Sequence, residues 1–151
     1  MISREDWKKL CLHKIETVKR LIAQEEWSVA GEYIGYALEC ALKAATCKTL
    51  NNDYYPPVKT SLVDGTQGGV GMKLSHEFDV LLVYSGLSDL LTGDNFVWQQ
   101  LSSYYTGAWN ERRYSIDIDT IYDEASVKEA AQLLYEREDS IIELLERNNR
   151  W

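Results

Sequence analysis

Residues 28–50 read SVAGEYIGYALECALKAATCKTL, and this stretch decides the fold. Ala30, Tyr33, Ile34, Ala37, Leu38, Ala41, Ala44 and Ala45 recur at the three- and four-residue spacing of one helix face. The stripe is wide and made of small residues, so it predicts a central helix with close neighbours on two sides. Gly31 and Gly35, four apart, lower helix propensity but let another segment approach closely. Glu39 and Lys43 stand at i, i+4 in the favourable order.

Helical periodicity continues on both sides. Upstream, Trp7, Leu10, Cys11, Ile15, Val18, Leu21 and Ile22 form an apolar stripe. Ser3 with Asp6 predicts a capping box, so a first helix begins near Arg4 and ends around residues 24–26. Downstream, residues 51–73 carry Pro56, Pro57 and four glycines and read as a long flexible loop. Ser75 is expected to cap a third helix bearing Phe78, Leu81, Leu82, Leu87, Leu90 and Leu91. A fourth helix is expected over about residues 95–112. Residues 115–121 alternate Ile and Asp and read as an extended connector. Ser126 with Glu129 predicts the cap of a fifth helix reaching about Arg147. The expected architecture is all-α: one domain over residues 1–151, an up-and-down helical bundle of about five helices.

Composition bounds the function. The 151 residues suit one domain, large enough to bury a core without staples. Sixteen Lys and Arg against 24 Asp and Glu leave a net charge of −8, which argues against a general polyanion binder. Residues 1–50 are nearly balanced, with eight basic and seven acidic, while residues 51–151 hold eight basic against seventeen acidic. A small arginine site remains compatible with that balance. Three cysteines, Cys11, Cys40 and Cys47, make neither a disulfide framework nor a zinc pattern, so reduced thiols and no metal are expected. The first ten residues lack an apolar signal segment, and no stretch reads as a membrane span; a cytoplasmic location is expected.

Few residues offer chemistry. The glycine-rich run from Asp64 to Lys73 is not a phosphate loop, because Met72 separates Gly71 from Lys73 and Leu74 follows. No Ser-His-Asp or Cys-His catalytic pairing can be argued around His13 or His76; His76 reads as a neutral, hydrogen-bonding ring. Asp117 and Asp119, two apart in an extended segment, are expected to share a side and follow two arginines. Arg112, Arg113 and Tyr114 stand where two guanidiniums grip phosphate and a ring stacks on a base. Capping of a helix C-terminus is the plainer use of an arginine there.

Taken in order, Ala30…Tyr36-Ala37…Glu39…Leu42-Lys43-Ala44, Ser75-His76-Glu77-Phe78 with Leu81-Leu82, and Trp109…Arg113-Tyr114-Ser115 resemble the motifs of the higher eukaryotes and prokaryotes nucleotide-binding (HEPN) family. The resemblance spans essentially the whole chain. It implies a dimer-forming helical bundle that binds nucleotide or RNA, in prokaryotic toxin–antitoxin or defence modules and often beside a nucleotidyltransferase. Many members of that family are ribonucleases using R-x4–6-H. This chain has no His in that range; Arg112 with Asp117 makes R-x4-D, and Arg113 with Asp119 makes R-x5-D.

The expected function is therefore nucleotide or RNA binding through Arg112, Arg113 and Tyr114, with Lys43, Glu39 and His76 close by and no cofactor. Two alternatives stand beside it. One is a diverged, metal-independent ribonuclease toxin using Arg112 or Arg113 with Asp117, Asp119 or His76. The other is a protein-interaction module without catalysis.

Overall fold

The computed structural model describes residues 2–55, 75–93 and 96–151, and within them the chain is mostly helical. Helix α1 spans Arg4–Ala23 and α2 spans Trp27–Thr49. Ser3 caps α1, its side chain accepting from the Asp6 amide, as the sequence predicts. Between the two helices the chain reverses at Glu25, a non-glycine residue at φ 59°, and the Glu26 amide closes back onto the Leu21 carbonyl.

Helix α2 is the centre of the molecule. It packs on α1 along its length and touches α3 (Phe78–Ser85), α6 (Ile118–Ile121), α7 (Glu124–Ala131) and the 3-10 turn Trp109–Tyr114. Ala30, Ile34, Ala37, Leu38, Ala41, Leu42, Ala44 and Ala45 are fully buried. The small-residue stripe thus has neighbours on more than one side, as expected.

Eight α-helices stand among the described residues, where the sequence predicts about five. The extra breaks have local causes. The expected third helix stops at Ser85, since Gly86 sits at φ 68°, and restarts as α4, Ser88–Leu91. Glu77, rather than Ser75, is its N-cap. The expected fourth helix shortens to α5, Val97–Ser103. There Ser102 and Ser103 turn their hydroxyls back onto the Gln99 and Gln100 carbonyls, and Gly107 at φ 62° redirects the chain into the 3-10 turn.

The connector 115–121 is not extended throughout: Asp117 occupies the N-cap position of the short α6, without a side-chain cap bond, and Asp119 lies in its first turn. The shared-side argument for these two carboxylates therefore fails, because it needs a period of two. Helix α7 is capped three residues before the expected Ser126, because Asp123 takes the cap and accepts from the Ser126 amide. It continues as a π-helical segment, Gln132–Glu136, and breaks at Arg137, whose backbone is extended. Ser140 then caps α8, Ile141–Arg147, through the Glu143 amide. A two-residue antiparallel ladder, β1 (Ile2–Ser3) on β2 (Tyr54–Tyr55), ties the start of the chain to the end of α2. Of the loop predicted at 51–73, residues 56–73 lie outside the described residues, as does the glycine-rich run. No helix among the described residues is long and apolar enough to cross a membrane.

An aromatic cluster joins the later segments to α2. Trp109, 1% exposed, stacks on Phe78 at 5.1 Å and meets Tyr36 at 5.3 Å and Tyr105 at 5.6 Å edge-on. Such pairs contribute roughly 0.5–1.5 kcal/mol each beyond the area they bury. The approach requires Gly35, where a Cβ would lie 2.8 Å from Trp109 Cε3, closer still to Cζ3, and 2.9 Å from Tyr105 Cε1.

Gly35→Ala gains about 1 kcal/mol of helix propensity but overpacks this contact by about 1–3 kcal/mol. A net fall in melting temperature of a few degrees is expected by circular dichroism, and an unchanged or raised value contradicts the packing. The three thiols are free and buried, and desolvation pushes Cys40 up to about 11 and Cys11 upward as well. Thiolate is the reactive form, so a disulfide reagent at neutral pH should titrate the three cysteines only as the protein unfolds. Fast labelling of the native protein would refute this.

Candidate functional site

The face of interest begins where α2 presents Tyr33 and Tyr36 beside the 3-10 turn. Arg112 and Arg113 are adjacent in sequence but part company here. Arg112 turns inward: its guanidinium donates to the carbonyls of Tyr104 and Thr106 and lies over the Tyr122 ring at 5.7 Å. Tyr104 is the C-cap of α5, so Arg112 satisfies carbonyls that the helix end leaves open. Arg113 turns outward. It donates to Tyr36 Oη at 2.7 Å and lies over the Tyr114 ring at 4.9 Å, and Tyr114 is 77% exposed.

Tyr36 in turn donates to Glu32 Oε1 at 3.0 Å, so a carboxylate reaches Arg113 only through a phenol. Burial first, then the Glu32 hydrogen bond, raise the Tyr36 hydroxyl above its ordinary range, with Arg113 opposing. The phenol therefore stays neutral at physiological pH. A second cation, Lys14 of α1, sits over the Tyr33 and Tyr36 rings at 5.2 and 5.4 Å. Among the described residues neither Arg113 nor Lys14 has a carboxylate within ion-pair distance. Lys14 escapes a sequence reading because its neighbours lie on α2. The available signal is a cation interrupting the apolar stripe of α1.

Next to this face lies a second group. Glu39, a buried residue of α2, pairs with Lys43 Nζ at 2.5 Å and with His76 Nδ1 at 3.0 Å from both carboxylate oxygens. Lys43 is enclosed, its ammonium over the Trp7 ring at 4.7 Å and the Tyr55 ring at 5.3 Å. It neutralises Glu39 and is not presented to solvent as a phosphate ligand. His76 is half exposed, and its carbonyl accepts from Trp109 Nε1 at 2.6 Å. Trp109 thus touches Tyr36, which holds Arg113, and fixes the backbone of His76.

The structure brings Glu39, Lys43 and His76 together, and Arg113 and Tyr114 together with Tyr36. It does not bring Asp117 and Asp119 into either group. Both are exposed, and the Asp117 amide donates to Ser115 Oγ. Asp119 lines another cavity with Glu25, Glu26, Asp123 and Glu124, where five carboxylates repel a phosphate. Among the described residues no group of three or more His, Cys, Asp or Glu is arranged to hold a metal ion.

The two arginines separate by experiment. Arg112→Ala leaves the Tyr104 and Thr106 carbonyls without their donor and should cost about 1–3 kcal/mol, whereas Arg113→Ala should stay within about 0.5 kcal/mol. Urea melts of the two variants check this, and equal losses would refute the division. Set against known proteins, the chain matches no family model, no curated protein and no solved structure.

Proposed function

We propose that this chain is a HEPN-like module that binds RNA or a nucleotide on the face formed by Arg113, Tyr36, Tyr114 and Lys14, with His76 at its border. The observation that carries the reading is Arg113: an exposed guanidinium, in a chain of net charge −8, whose hydrogen-bond partner is a neutral phenol rather than a carboxylate. A guanidinium held this way keeps donors for a phosphate, and the exposed Tyr114 ring offers a stacking surface for a base. Lys14 adds a second positive charge over the Tyr36 ring. Arg112 acts on this reading as a structural support, and Glu39 and Lys43 act behind His76.

The motif order adds the setting. On that resemblance the module works as a homodimer in the cytoplasm, within a prokaryotic toxin–antitoxin or defence system and beside a nucleotidyltransferase. The interaction-module alternative draws on Ile116, 96% exposed two residues after Tyr114, which suits protein docking just past the same turn.

A fluorescence titration with a short single-stranded RNA and with labelled ATP, at about 50 and 200 mM salt, tests the proposal. Binding should weaken with salt, and Arg113→Ala should weaken it about tenfold while shrinking the salt slope by about one. Lys14→Ala should act in the same direction. Absence of binding, or binding indifferent to Arg113, rejects the reading.

A further inference from the structure

The start of α3 faces the end of α5 across a cleft that none of Arg113, Tyr36, Tyr114 or Lys14 lines. Its volume is about 290 Å³, close to the lower end of the range for small-molecule sites. Phe78 and Tyr105, both buried, form the floor, with their rings edge-to-face at 5.8 Å. The Tyr105 hydroxyl is turned away and donates to the Gly31 carbonyl, so this floor is hydrocarbon.

The walls are rich in acceptors. Glu77 and Asp79 bring carboxylates from the start of α3, and neither forms an ion pair among the described residues. From α5 come Ser102 and Ser103, whose hydroxyl hydrogens go to the Gln99 and Gln100 carbonyls and leave lone pairs for a ligand. No Lys, Arg or His lines the cleft among the described residues; Arg112 reaches only the Thr106 carbonyl. Acids at a helix start ordinarily complement its dipole. Here Glu77 occupies the N-cap position without a side-chain cap bond, and both acids border a cleft whose other wall is α5.

The cleft continues past Gln99 and Ser102, which also line a second hollow of about 330 Å³. Leu91, Phe96 and Trp98 wall that hollow, and no charged side chain lines it among the described residues. One groove therefore carries negative charge over aromatic rings at one end and apolar surface at the other.

We infer that this groove binds a small aliphatic amine, its ammonium head held by Glu77 and Asp79 and its chain laid toward Phe96. An ammonium brings three donors and a positive charge to walls of acceptors, and the ring floor attracts it as well. Negative charge at the head excludes phosphate and carboxylate ligands. The uncharged hollow excludes a second ammonium at the far end, since burying it there leaves it without a counter-ion. The site is separate from the Arg113 face, so its failure leaves the nucleotide-binding reading untouched.

The test titrates the full chain at neutral pH with hexylamine, hexanol, hexanoate and diaminohexane by calorimetry, following the indole N–H signal of Trp98 by NMR to locate the ligand. Hexylamine should bind and shift that signal, hexanol at least about tenfold more weakly, and hexanoate not at all. Diaminohexane should bind more weakly than hexylamine. Glu77→Gln with Asp79→Asn, checked for folding by circular dichroism, should weaken hexylamine about tenfold and leave hexanol unchanged. Each methylene added between butylamine and hexylamine should tighten binding about threefold, and Phe96→Ala should shrink that gain. Four results overturn the inference: no hexylamine binding at millimolar concentration, hexanol binding as tightly as the amine, the double variant binding like wild type, or diaminohexane binding more tightly than hexylamine.

Discussion

The contact of the Trp109 ring with Gly35 governs how the second half of this protein meets the first. A tryptophan can reach a helix backbone this closely only where a Cβ is missing. Once seated, Trp109 fixes three segments at once. It stacks on Phe78 at the start of α3, meets Tyr36 of α2 and Tyr105 after α5, and donates to the carbonyl of His76. Each ring contact is worth about a kilocalorie per mole, but together they leave the 3-10 turn a single position against α2. Gly31, one turn earlier, makes the same kind of room for Tyr122, whose ring carries Arg112.

That packing explains why two adjacent arginines have opposite roles. In a 3-10 turn successive side chains point about 120° apart, so one faces the bundle while its neighbour faces water. Arg112 is spent on the open carbonyls at the end of α5, and Arg113 remains outside on a phenol. A net charge of −8 describes the whole surface and says little about one such cation, because screening confines its influence to about 8–10 Å.

The helices of the first half were legible because their stripes are long. Twenty residues of α1 and twenty-three of α2 keep one period, and the Ser3 cap and the Glu39–Lys43 pair follow from spacing alone. The second half was not legible at the same level. Its segments run four to eight residues, too short for periodicity to separate a continuous helix from two broken ones. Gly86 and the Ser140–Glu143 pair carried usable signals for a stop and a start. Asp123 and Ser126 competed for one cap, and the aspartate prevailed because its ionised carboxylate accepts both the amide and the hydroxyl of Ser126.

Of the site, the sequence by itself determined the residue types: one buried-face carboxylate with its lysine, a histidine before a helix, and an arginine pair beside aromatic rings. Which of them meet was decided by tertiary structure. Spacing along a chain relates residues only within one helix or strand, whereas Glu39 and His76 are 37 positions apart and Tyr36 and Arg113 are 77 apart. Their contacts exist because Trp109 docks at Gly35 and brings α2, the start of α3 and the 3-10 turn to one place. Asp117 and Asp119 make the converse point. Their two-residue spacing promised a shared side, but a single turn of helix at Ile118–Ile121 placed them on a helical period instead.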